Sequence, residues 1–141
     1  MLRHAQAEEG SPDAERRLTA KGEKQATTAG RALAAIEAPI ATCVTSPKVR
    51  ARQTADLACA ELGIEVEEDS RLEGGPFDPR EVAEGRGEHV LLVGHDPDFS
   101  LAVNRFTGAQ VRMKKGGLAA MDRGELMLLL RPSELEAMAA R

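Results

Sequence analysis

The stretch "HVLLVGHDP", residues 89–97, limits what this chain can fold into more than any other part of it. Val90, Leu91, Leu92 and Val93 form a continuous apolar run, closed off by Gly94 and Pro97. The run is too short for a helix and lacks the alternation of a strand with one wet face. Strands of this kind are buried on both sides, as in a parallel sheet covered by helices. Parallel neighbours cannot be joined by a hairpin, so the connections must be helical crossovers of right-handed sense.

The rest of the chain supplies those elements. Thr19 is placed to cap a helix over "AKGEKQATTAGRALAAI", with Pro39 beyond its end. "ATCVTSP" is β-branched and stops at Pro47, "VRARQTADLACAELG" reads as a helix closed by Gly63, and "IEVEED" as a short edge strand. "GGPFDPREVAEGRG" is turn-rich with at most a short helix, and "FSLAVNRF" is a helix stopped by Gly108. "AQVRM", "GLAAMD" and "ELMLLL" read as strands with a tight turn at Asp122-Arg123-Gly124, and Ser133 with Glu136 as the capping box of a last helix. The expectation is one α/β domain over residues 1–141, three-layered, with a mostly parallel central sheet flanked by helices.

Composition removes several classes of function. No apolar run approaches the roughly 18 residues of a membrane span, so no membrane partner is expected. A net charge of −4 gives no general attraction to nucleic acid, and three Phe with no Trp or Tyr leave no stacking platform for bases. Cys43 and Cys59 lack CxxC spacing and no signal-peptide pattern opens the sequence, which reads as two reduced thiols in a cytoplasmic protein.

Ligands of open α/β sheets sit outside the carboxyl ends of the strands. The residues there are Arg3 and His4 after the first strand, Ser46 to Arg50 after the second, and His95 after the fourth. Each has a plainer reading: solvated residues at the amino terminus, a charged helix face, a histidine capping the helix behind Pro97. Together, two guanidinium groups and two imidazoles at one edge suit the oxygens of a phosphoryl group. A metal site built from His4, His89 and His95 lacks ligand spacing, and His89 falls at the opposite end of its strand.

The motifs "LRHA", "LTAKGEKQA", "SPKVRARQTA" and "VLLVGHDPDFS", in that order, resemble those of the histidine phosphatase superfamily over nearly the whole chain. The compact size, the "DAERRLT" lead into the first helix and the Lys-Lys-Gly-Gly-Leu-Ala segment near Leu118 are similar to its SixA-type phosphohistidine phosphatases. The resemblance implies that His4 is the nucleophile, with one ring nitrogen attacking phosphorus and the other held by a backbone carbonyl. It implies that Arg3, Arg50 and His95 hold the phosphoryl oxygens, that Arg16 and Ser46 help bind substrate, and that no cofactor or metal takes part. Arg17 stands where the SixA pattern has Pro. Glu73, after the third strand, is the candidate general acid, with Asp96 beside His95 as a second; both also read as surface carboxylates.

The implied partner is a phosphorylated protein carrying phosphohistidine, or a small phosphorylated molecule. Phosphohistidine is favoured because imidazole departs more readily than an alkoxide and needs no strong acid. A broad phosphomonoesterase using Glu73, and a phosphate-binding homologue with little turnover, are the competing readings. The first strand is expected to be truncated, since only Met1 and Leu2 precede the Arg-His pair where a strand usually has about 5 or 6 residues. A natural start a few residues upstream is the corresponding expectation.

Overall fold

The computed structural model describes residues 1–140. Its elements are β1 (Leu2–Arg3), α1 (Ala20–Ala35), β2 (Thr42–Thr45), α2 (Val49–Leu62), β3 (Val66–Glu68), α3 (Pro79–Ala83), β4 (Val90–Gly94), α4 (Asp98–Thr107), β5 (Leu118–Asp122), β6 (Glu125–Leu130) and α5 (Pro132–Ala139). The six strands form one sheet in the order β3-β2-β4-β1-β5-β6. The pairs β2/β3, β2/β4 and β1/β4 are parallel, and β1/β5 and β5/β6 antiparallel.

Alternation along the buried strands divides the interior into two layers. Leu2, Cys43, Leu91, Val93 and Leu118 face α1, α2 and α5, packing on Ala29, Ala32, Ala55, Ala58 and Leu135. Val44, Leu92 and Ala119 face the other way, onto Phe77, Val82, Phe99 and Val103 of the α3–α4 side. The α/β, three-layer, mostly parallel fold follows from this arrangement. The alanine-rich layer lets its helices come close: a Cβ on Gly30 of α1 would lie 2.3 Å from the Ala58 carbonyl of α2.

The short β1 is stitched into the sheet on both sides. Leu2 is opposite Val93 of β4 and Leu118 of β5, and is fully buried. The Met1 amine donates to the Ala119 carbonyl at 2.6 Å, and Ala119 N–H donates to Met1 O at 2.8 Å. β4 and β5 therefore have a partner here despite the two-residue strand.

The helix limits agree with the punctuation in the sequence. Thr19 caps α1 by accepting from Gly22 N–H at 3.0 Å, and Gly63 and Gly108 end α2 and α4 in the left-handed conformation. Two expectations fail. "AQVRM" is not a strand: Met113 N–H donates to the Ser100 hydroxyl and its carbonyl accepts from Arg3, so side chains take the groups a ladder would have used. The last helix opens at Pro132, and it is Glu134, not Glu136, whose carboxylate accepts the N–H of the residue before the helix, Arg131, at 2.8 Å. Among the described residues no helix is long and apolar enough to cross a membrane.

Candidate active site

Strand register determines which side chains meet. Arg3 is opposite Gly94, so the next residues, His4 and His95, emerge side by side with ring centroids 5.2 Å apart. Thr45 is opposite Val93, which puts Ser46 one step further along, its hydroxyl 2.8 Å from His95 Nε2. Arg50 lies in the first turn of α2, directly after β2, and is buried with its Nε 3.4 Å from His4 Nε2. Four residues gathered from three strand ends thus form a cage, as the parallel topology requires.

The other residues of the motifs hold this cage rigid. His4 N–H donates to Gly94 O at 2.8 Å, Gly116 N–H donates to His4 O at 3.0 Å, and Arg3 N–H donates to Gly117 O at 3.0 Å. The Lys-Lys-Gly-Gly segment therefore supports the Arg-His pair through its backbone. In "RARQTA", Thr54 accepts from Ala5 N–H at 3.1 Å and donates to Arg50 O at 2.7 Å, while Gln53 accepts from Leu18 N–H at 2.8 Å. Gly22 in "LTAKG" is required by contact: a Cβ there would lie 2.0 Å from Gln6 O, in the segment that follows His4.

The protonation of His4 is legible from its partners. Its Nδ1 lies 2.8 Å from the Ala5 carbonyl, which can only accept, so Nδ1 carries the proton and Nε2 keeps a lone pair. Burial, then the charges of Arg50, Arg3 and Lys115, lower its pKa to about 4 against an opposing hydrogen bond to Ala5. Burial, followed by His4, Arg50 and Lys48, lowers that of His95 to about 3. Both rings are neutral near pH 7. The Ser46 hydroxyl accepts from Lys48 N–H at 3.2 Å and can donate to His95 Nε2; in that tautomer the ring carries its proton on Nδ1. His95 Nδ1 and Arg3 Nε are buried nitrogens without a partner among the described residues. Buried donors without acceptors are costly, and these two are free to meet an acceptor that enters beside them.

Other expected residues sit differently. Arg16 is half-buried, donating from Nε to Glu8 O at 2.7 Å and from Nη1 to Asp13 at 3.1 Å, at the rim beside Arg50. Arg17 is exposed, and its carbonyl accepts from Glu8 N–H at 2.8 Å. Asp96 is spent on α4, accepting from Ser100 N–H at 2.9 Å and from its hydroxyl at 2.8 Å. Glu73 is exposed in the loop before α3 and makes no hydrogen bond or ion pair with a cage residue. His89 precedes β4 at the far end of the sheet.

The residue the sequence reading missed is Asp13, in a 3-10 turn over Asp13–Glu15. Its carboxylate meets Arg16 at 3.1 Å, Arg50 at 3.1 Å and Lys48 at 3.4 Å. The only signal was its place in "DAERRLT", three residues before Arg16. Hydrogen bonding to Arg16, and then to Arg50 and Lys48, holds its carboxyl below the ordinary carboxylate range.

The family model described as "Histidine phosphatase superfamily (branch 1)" matches residues 1–78. None of the curated proteins compared matches the chain. A solved structure from Nakamurella multipartitia assigned as phosphohistidine phosphatase SixA is similar, at 26% identity and TM-score 0.81, over 93% of each chain. The protein histidine phosphatase SixA complexed with tungstate is similar at 20% identity and TM-score 0.80, over 95% of this chain and 96% of that one. A chain from Escherichia coli K-12 assigned as an alpha-ribazole-5'-P phosphatase is similar at 17% identity and TM-score 0.70, over 93% and 94%.

Proposed function

The chain belongs to the histidine phosphatase superfamily, and from that premise we propose that it is a phosphatase acting through a phosphorylated His4, with phosphohistidine of a protein as its substrate. The observation that carries this reading is the His4 ring. Its Nδ1–H is committed to Ala5 O, and its Nε2 lone pair lies beside Arg50 and the His95 ring, within the field of the Arg3 charge.

In the first step the Nε2 lone pair attacks phosphorus, a new N–P bond forms, and the bond to the leaving group breaks. Arg3, Arg50 and His95 donate to the three non-bridging oxygens, positioning the group and countering its charge. In the second step water attacks the phosphohistidine, the N–P bond breaks and the lone pair returns to His4, releasing inorganic phosphate. The guanidinium groups supply the positive charge, so the reaction as proposed needs no metal.

The substrate class rests on the carboxylates. Asp96 is held by Ser100, Asp13 is ionised among three cations, and Glu73 makes no hydrogen bond or ion pair with a cage residue. None is arranged to protonate an alkoxide, which favours an imidazole leaving group. The test is rapid-quench trapping of phosphoenzyme, mapped to His4, together with turnover of a phosphohistidine peptide against glycerol phosphate. Faster turnover of the peptide supports the reading, and equal or reversed rates overturn its substrate class. The likeness to a chain assigned as an alpha-ribazole-5'-P phosphatase supports a second reading, hydrolysis of small phosphate esters with Glu73 as the acid. In that case Glu73→Gln abolishes ester hydrolysis.

A further inference from the structure

We propose that Asp13 is a positioning residue for phosphoryl transfer: it holds the guanidinium plane of Arg50 from outside so that Nε is presented to the phosphoryl group at His4. This rests on the reading of His4 as the phosphoryl acceptor.

The geometry is two-sided. The Asp13 carbonyl accepts from Arg50 Nη1 at 2.8 Å and its carboxylate accepts from Nη2 at 3.1 Å, while Nε lies 3.4 Å from His4 Nε2. A guanidinium is planar, so fixing both terminal nitrogens at one end determines where Nε points. In Asp13→Ala the backbone carbonyl stays on Nη1 but the carboxylate is gone from Nη2, so the buried Arg50 would keep its charge and lose one of the two partners that choose its orientation.

Asp13 is well enough anchored for the task. Its loop is closed by the Glu8 N–H to Arg17 O bond at 2.8 Å and by the bridge between Ala7 and Leu18. Arg16 then ties the loop to itself, donating to Glu8 O and to Asp13. Lys48, 3.4 Å away, joins the same carboxylate to the start of α2. One carboxylate thus joins the loop after β1 to the helix after β2, the two segments that deliver His4 and Arg50. A well-ionised carboxylate in this place acts through Arg50 and not as a proton donor.

The test is a double-mutant cycle of Asp13→Ala and Arg50→Lys, read as kcat/KM on a phosphohistidine peptide and as affinity for inorganic orthovanadate, a mimic of the transferring group. Asp13→Ala is expected to lower kcat/KM by at least about 10-fold in the wild-type background and by less than about 2-fold once Arg50 is lysine, the non-additivity of residues acting as a unit. Orthovanadate affinity should show the same non-additivity. Asp13→Glu, which keeps the carboxylate, should retain most of the activity. Equal losses in both backgrounds, or a loss in Asp13→Glu as large as in Asp13→Ala, overturn the proposal. A wild-type protein that hydrolyses the peptide and an Asp13→Ala protein that matches it overturn this role alone. A wild-type protein that neither hydrolyses phosphorylated substrates nor binds orthovanadate overturns the phosphatase reading as well.

Discussion

Asp13 and Asp69 are both carboxylates in segments that follow strands, and both gather arginines, yet they do opposite things. Asp69 accepts from Arg71 at 2.7 Å and from Arg86 at 3.5 Å, and Arg86 also pairs with Glu67 at 3.0 Å. Two cations meet two anions there, and the cluster is neutral. Asp13 alone faces Arg16, Lys48 and Arg50. Positive charge in excess beside a lone-pair nitrogen suits the phosphoryl site proposed above; balanced charge suits a structural ion-pair network.

If the two clusters differ in this way, substitutions in them should differ too. The largest effect belongs to His4→Ala, which should cut phosphate release at least about 1000-fold while the circular dichroism spectrum stays native. Residual turnover close to wild type would place the reacting nitrogen elsewhere.

Acid should separate the clusters next. His4 and His95 have folded pKa values of about 4 and about 3 against an ordinary 6.5. The unfolded chain therefore binds more protons as pH falls below 6.5, and stability drops from there toward pH 4, by on the order of 3 kcal/mol for each histidine. Asp69, held down to about 2 first by Arg71, contributes stability above its ordinary value of 3.8 that is lost only as pH falls from there through 2. Denaturant melts across pH should thus show the cage failing first, and His4→Asn should flatten the upper part of the curve. The same pKa of His4 sets the acid limb of kcat/KM near pH 4, with activity lost below it.

Arg50→Ala and Arg86→Ala make the third comparison. The first should lower kcat/KM by about 100-fold, the scale of losing one preorganised donor, and the second should leave it within about 2-fold. The smallest effect is that of Asp69→Ala, about 1 kcal/mol in urea melts, with turnover unchanged, because Arg71 is exposed and Arg86 keeps Glu67 as a partner. Loss of activity in either Asp69→Ala or Arg86→Ala would erase the distinction between the clusters.

Much of this was legible residue by residue. The apolar run at Val90–Val93 dictated a strand buried on both faces, and Thr19, Gly63 and Gly108 marked helix limits through local chemistry that depends on immediate neighbours. The motif order brought Arg3, His4, Arg50 and His95 into consideration together, since strand ends in a parallel sheet share an edge. Reading failed where a distant partner outcompeted a local preference. "AQVRM" has strand-forming residues, but Ser100 and Arg3 take the backbone groups of Met113. Ser133 and Glu136 had capping-box spacing, but Pro132 suits the first helical position and moved the helix start.

The sequence by itself determined the alternation of elements, the family, and the kinds of side chain available at the sheet edge, because periodicity and motif spacing are properties of the chain's own order. Only the tertiary structure decided how those groups are poised. The neutrality of both His4 and His95 depends on burial, and the orientation of Arg50 depends on Asp13 across 37 positions of chain. Hydrogen-bond partners and desolvation are set by what folding brings within a few ångströms, and no local pattern encodes them.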